Sequence, residues 1–282
     1  MFLGVFLFLA FIAPVAQSNR GSAVVNASDG VPIHYAVQGS GEPTLVFVHC
    51  WSCDRHLWDD QVSAFAKNHR LVTIDLPGHG ESGQGRKTWS IESYGEDVKT
   101  VVTKLNLKRV VLIGSSMGGP ISLEATRRMP ERVVGIVPVD TLHNVEERLP
   151  ADQLDSALKQ LRADYKPAVT GFLNQFFFAP ETPVAVKNRV IAETTSRPPE
   201  PAVTILEAIF SYDSAPAMRE IKVPIHAINS DRVPTSLEVN RKYAPQFDAV
   251  VMKGVGHYPM LENPARFNEL LAEILRKLPK TK

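Results

Sequence analysis

The chain has 282 residues, 44% hydrophobic and 22% charged, an ordinary globular composition able to bury a substantial core in one domain with room for an elaboration. Its 31 Lys and Arg against 30 Asp and Glu leave a formal charge of +1. No bulk field therefore draws it to nucleic acid or to an anionic membrane, and a small uncharged molecule is the expected partner.

In chain order, residues 2–16 are nearly all apolar, no charge precedes Arg20, and Ala16-Gln17-Ser18 offers the small residues a signal peptidase needs. Residues 1–18 are read as a signal peptide cleaved near Ser18, which implies a secreted or periplasmic protein. A run this short falls below the roughly 20 residues of a comfortable membrane helix, so no stable span is expected after cleavage. The basic segment that usually leads a signal is missing, and an uncleaved anchor is the alternative. Export would make the two cysteines, Cys50 and Cys53, a candidate pair. Their C-x-x-C spacing lacks the thioredoxin-like setting that a redox reading requires. Asn26-Ala27-Ser28 is a glycosylation sequon, meaningful only in a eukaryotic host.

Residues 23–26 and 33–37 are short β-prone runs around Asp29-Gly30 and predict an opening hairpin. The pattern then changes: residues 44–48, 71–74, 110–113 and 133–139 are continuous apolar runs, as parallel strands covered on both faces require. Helical periodicities lie between them, most clearly behind the Ser90 cap, where Ile91, Tyr94, Val98, Val101, Val102 and Leu105 share one face. This alternation predicts an α/β fold with a doubly wound, mostly parallel sheet and right-handed crossovers. Such sheets bind ligands at the carboxyl ends of their strands.

One of those ends carries the central motif. Residues 110–113 run into Gly114-Ser115-Ser116-Met117-Gly118-Gly119, and a helical stretch follows. This is G-x-S-x-G between strand and helix, which makes Ser116 the candidate nucleophile. The turn must lift the hydroxyl clear of the sheet, and side chains at 114 or 118 would obstruct it. It also aims the Met117 amide and the helix N-terminus at a developing oxyanion. A serine hydroxyl needs a base, and His257, in Gly254-Val255-Gly256-His257-Tyr258-Pro259-Met260 after the apolar run 249–252, occupies the loop expected to supply it.

Together with Asp75-Leu76-Pro77-Gly78-His79-Gly80-Glu81-Ser82, which matches a D-x-P-G-x-G-x-S segment, these motifs make nearly the whole mature chain resemble the α/β-hydrolase superfamily. The resemblance implies that His49-Cys50-Trp51 stands where the family has His-Gly and an oxyanion-hole residue, so the amides of Trp51 and Met117 would form the hole. Cys50 replaces the usual glycine, and a Cβ disfavours positive φ at that position.

Two aspartates compete to orient His257. Asp231, after the strand-like residues 224–228, resembles the usual acid after the seventh strand and is the favoured candidate, although its loop is about two residues short and lacks the usual glycine. Asp140 ends the run 133–139, in the position of a sixth-strand acid used by a minority of relatives. The long stretch 142–219 predicts a helical cap inserted after the sixth strand, leaving residues 19–141 and 220–282 as core. Its apolar segments nominate Phe172, Phe176, Phe177 and Phe210 as substrate-binding residues beside their packing role. Arg197-Pro198-Pro199-Glu200-Pro201 is expected to be a rigid turn between cap helices.

The expected activity is hydrolysis of a small, mostly apolar carboxylic ester through an acyl-enzyme. No metal-ligand cluster or dinucleotide loop is evident, so neither metal nor cofactor is expected. The alternatives that keep Ser and His are carbon–carbon bond hydrolases, perhydrolases, cofactor-free dioxygenases, and ligand receptors with a slow triad. Oligomeric state is not legible in the chain.

Overall fold

The structure, a computed structural model, describes residues 22–279; the segment read as a signal peptide lies outside the described residues. The predicted hairpin is present: β1 (Ser22–Asn26) pairs antiparallel with β2 (Pro32–Gln38) across the Asp29-Gly30 turn. The apolar runs become β3 (Thr44–Val48), β4 (Leu71–Asp75), β5 (Val110–Ser115) and β6 (Val133–Val139), followed by β7 (Ile225–Ser230) and β8 (Phe247–Met252). They form an eight-stranded sheet in the order β1-β2-β4-β3-β5-β6-β7-β8. Only β1 with β2, and β2 with β4, run antiparallel.

Every residue of β3, β4 and β5 is buried, which explains their unbroken hydrophobicity. The covering helices include α1 (Asp59–Phe65), α2 (Ile91–Lys104) and α3 (Gly118–Arg128). Ser90 caps α2 by accepting from the Ser93 amide, and Ile91, Tyr94, Val98, Val101 and Val102 on its inner face are buried. Full burial of side chains of this size contributes roughly 1.5–3 kcal/mol each.

Between β6 and β7 lie α4 (Ala151–Ala163), α5 (Tyr165–Phe176), α6 (Val184–Thr195), α7 (Pro199–Ser211) and α8 (Ser214–Glu220). The first four pack mainly on one another, whereas α8 lies against α3 of the body. Pro199 and Pro201 fall in the first turn of α7, where proline tolerates a missing amide, so the predicted rigid turn is reduced to the residues before Pro199. After β7 come α9 (Leu237–Tyr243), α10 (Pro259–Glu262) and α11 (Pro264–Lys277), the last burying Phe267, Leu270, Leu271 and Ile274. Among the described residues no helix is long and apolar enough to cross a membrane.

Candidate active site

Ser116 sits between β5 and α3 with φ of 52°, the left-handed region that most side chains avoid. The chain can turn this sharply because its neighbours are glycines. A Cβ at Gly114 would lie 2.0 Å from the Gly118 carbonyl oxygen, and one at Gly118 would lie 2.5 Å from the carbonyl oxygen of Val48. The turn is therefore wedged against the end of β3, next to the loop that carries Trp51. The Ser116 amide donates to the carbonyl of Val139 at 2.9 Å, which ties the turn to the end of β6, one residue before Asp140.

At that strand end the structure places Asp140 against His257. His257 Nδ1 is 2.6 Å from Asp140 Oδ2, and the Ser230 amide donates to Asp140 Oδ1 at 2.7 Å. Asp140 itself has φ of 47°, a conformation aspartate tolerates better than most residues, and its amide donates to Ile228 in β7. His143 completes the surroundings, with Nε2 3.4 Å from Asp140 Oδ1. Burial pushes the Asp140 carboxyl up, but its interactions with His143 and His257 outweigh that and hold the group well below the usual carboxylate range.

The favoured expectation for the acid is thus corrected. Asp231 follows β7 immediately, its side chain faces solvent, and its carboxylate accepts from the Gly254 amide at 3.2 Å instead of reaching the imidazole. The strand explains this, because β7 runs to Ser230 and leaves Asp231 no length with which to turn inward. His143 went unnoticed in the sequence; a histidine three residues beyond a strand-end aspartate was the only available signal.

His257 Nε2 is buried and, among the described residues, has no hydrogen-bond partner. With Nδ1 held by Asp140, Nε2 is the nitrogen left to act on a nearby proton. The imidazole is covered by Phe177, whose ring centroid is 4.1 Å from that of His257.

Trp51 is buried in the loop after β3, and its indole Nε1 donates to the Ala202 carbonyl of α7 at 2.8 Å. Among the described residues neither the Trp51 nor the Met117 amide donates to a protein acceptor, so both are free for a ligand. Cys50 and Cys53 are disulfide-bonded in the same loop, and Arg197 donates to the Ser52 carbonyl at 3.1 Å. The positive φ feared at Cys50 is taken by Ser52 instead, at 59°. His49 and His79 serve the loop architecture. The His49 imidazole bridges the Cys50 carbonyl and the Leu76 amide, and burial pushes both histidines below the ordinary imidazole range.

The four nominated phenylalanines separate. Phe172, Phe176 and Phe210 line a cavity of about 340 Å³ between α4, α5 and α7, together with Leu154, Leu158 and Leu206. Phe177 lies outside that lining, between it and the imidazole, with its ring centroid 5.1 Å from that of Phe172. Phe176 remains 54% exposed, so it forms a rim and not a floor. Among the described residues no group of three or more His, Cys, Asp or Glu is placed to hold a metal ion.

Comparison with known proteins places this geometry in context. Residues 45–270 match the model of the alpha/beta hydrolase family. A pimeloyl-[acyl-carrier protein] methyl ester esterase of Nitrosomonas europaea is 26% identical over 248 residues, covering 83% of this chain and 96% of that protein. A solved structure described as Est816, an N-acyl homoserine lactone degrading enzyme, superposes with a TM-score of 0.78 at 27% identity, covering 89% of this chain and 98% of the other. An esterase from Exiguobacterium antarcticum reaches a TM-score of 0.82 at 20% identity, over 91% of this chain and all of the other, and shows the likeness of fold.

Proposed function

Because the chain belongs to the alpha/beta hydrolase family and is a hydrolase, we propose that it cleaves small, mostly apolar carboxylic esters through an acyl-enzyme on Ser116. The observation that carries this reading is the Asp140–His257 pair beside the strained Ser116 turn. His257 Nε2 takes the hydroxyl proton as Ser116 attacks the ester carbonyl, and the imidazolium that forms is stabilised by the ionised Asp140. The Trp51 and Met117 amides, with the N-terminus of α3, receive the oxyanion. His257 then protonates the leaving alcohol, and water attacks the acyl-enzyme with the same groups in the same roles.

An apolar substrate is supported by the surroundings. Phe177 covers the base, and the cavity beyond Phe172 is lined mainly by Leu, Ala and Phe. A further part of the reading is export, with the mature chain beginning near Asn19; the disulfide in the loop after β3 supports an oxidising compartment.

The decisive test pairs turnover of p-nitrophenyl esters of graded chain length with fluorophosphonate labelling. The wild type turns over and labels on Ser116, and Ser116→Ala and His257→Ala each lose about 10³-fold or more in kcat while remaining folded. Stoichiometric labelling with negligible turnover would instead identify a ligand receptor with a slow triad.

A further inference from the structure

The loop that carries His257 is held by an interaction that the catalytic reading does not use. Three successive amides around the base each have a dedicated acceptor. The Gly256 amide donates to Glu262 Oε2 at 2.8 Å, the His257 amide to the Phe177 carbonyl at 2.7 Å, and the Tyr258 amide to Glu262 Oε1 at 3.1 Å. Glu262 also accepts from the Thr182 hydroxyl at 2.6 Å, and that hydroxyl oxygen in turn accepts from the Ala179 amide at 2.8 Å. Thr182 is 3% exposed, so its link is shielded from competing water. Thr182, Ala179 and Phe177 all belong to the segment joining α5 to α6, which is thereby fastened to the histidine loop. The approach leaves no room for a side chain at position 256, where a Cβ would lie 2.4 Å from the Phe177 carbonyl oxygen.

We propose that Glu262, through Thr182, is a positioning residue for His257, coupling the α5–α6 segment of the helical insertion to the placement of the catalytic base. The proposal rests on the ester-hydrolase reading for its kinetic consequence, though not for its structural one. Three donors converge on the two oxygens of Glu262: the amides on either side of His257, and the Thr182 hydroxyl of the segment that carries Phe177. A proton transfer that depends on imidazole placement is sensitive to small displacements, and a shift near 1 Å costs on the order of 10²-fold in rate. The substitution Glu262→Gln keeps the size of the side chain but replaces one acceptor oxygen with a donor, which must then face an amide or hydroxyl donor in a crowded space.

The test combines kinetics with a direct view of the imidazole. The readouts are kcat and KM for a short p-nitrophenyl ester, thermal unfolding, and the low-field proton signal of His257 Nδ1 in its bond to Asp140, assigned by its loss in His257→Gln. For Glu262→Gln, kcat falls by about 10²-fold with KM within about twofold, and the low-field signal shifts or broadens. Thr182→Val, which removes the hydroxyl link to Glu262 together with the acceptor of the Ala179 amide, gives a smaller change in the same direction, and Thr182→Ser, which keeps both, restores wild-type values. Unchanged kcat and an unchanged low-field signal in folded Glu262→Gln would overturn the proposal. So would a Thr182→Val protein with lowered thermal stability but wild-type kcat and signal, which would reduce the contact to a structural tie within the α5–α6 segment. Were the wild type neither labelled by fluorophosphonate nor active on esters, the functional reading would fall, while the low-field signal would still report on the placement of His257.

Discussion

Replacement of Asp140 by asparagine separates a catalytic carboxylate from one that merely ends a strand, and the outcome follows from its contacts. Oδ1 accepts from the Ser230 amide at 2.7 Å and Oδ2 faces His257 Nδ1 at 2.6 Å. An asparagine must present one oxygen and one NH2 group to these two neighbours. Turning the NH2 group toward Ser230 sets donor against donor in a buried place, at a cost of about 1–3 kcal/mol. The oxygen therefore stays with Ser230, and the NH2 group faces His257 Nδ1. That nitrogen must then accept, which moves the imidazole proton to Nε2 and leaves no lone pair there to take a proton from Ser116. A tautomer switch of this kind costs roughly 10⁴-fold in kcat, or about 5 kcal/mol of transition-state stabilisation. Asp231→Asn, which alters only an exposed contact to the Gly254 amide, should stay within about twofold of wild type. The assay is kcat and kcat/KM on a p-nitrophenyl ester for both variants, with thermal unfolding to confirm folding. Asp140→Asn retaining turnover within tenfold of wild type would refute the assignment, and loss of activity in Asp231→Asn alone would restore the seventh-strand acid.

Two other outcomes are expected. Phe177→Ala removes the ring between His257 and Phe172 while keeping the backbone carbonyl that holds the His257 amide; it should raise the ratio of kcat/KM on octanoate to that on acetate esters by about tenfold or more, and a flat profile would show that the cavity beyond Phe172 takes no part in substrate binding. Mass spectrometry of the protein from its native host should find a chain beginning near Asn19, and an intact Met1 would count against signal cleavage.

What the sequence determined by itself is the part that depends on short-range geometry. The Ser116 turn could be read because strand, turn and helix are consecutive, and because Gly114 and Gly118 meet backbone within a few residues or at the neighbouring strand end. The sheet could be read because strands covered on both faces must be apolar throughout, as β3, β4 and β5 are. His257 was legible as a histidine in a loop between the last strand and the last helices. The carboxylate partner of His257 was not. Asp140 and His257 are 117 residues apart, and whether a strand-end aspartate turns inward depends on how the ends of β6 and β7 align, which neither segment encodes alone. Asp231 looked right by position, yet β7 runs up to Ser230 and leaves it on the solvent side. The helical insertion was legible only as a length and an apolar composition. Which phenylalanine covers the base and which lines the cavity was decided by the packing of α5 against its neighbours and by the seating of the segment after α5 on the histidine loop. For the same reason the sequence was silent on the link from Glu262 to Thr182, 80 residues away, which only the tertiary structure brings within hydrogen-bonding distance.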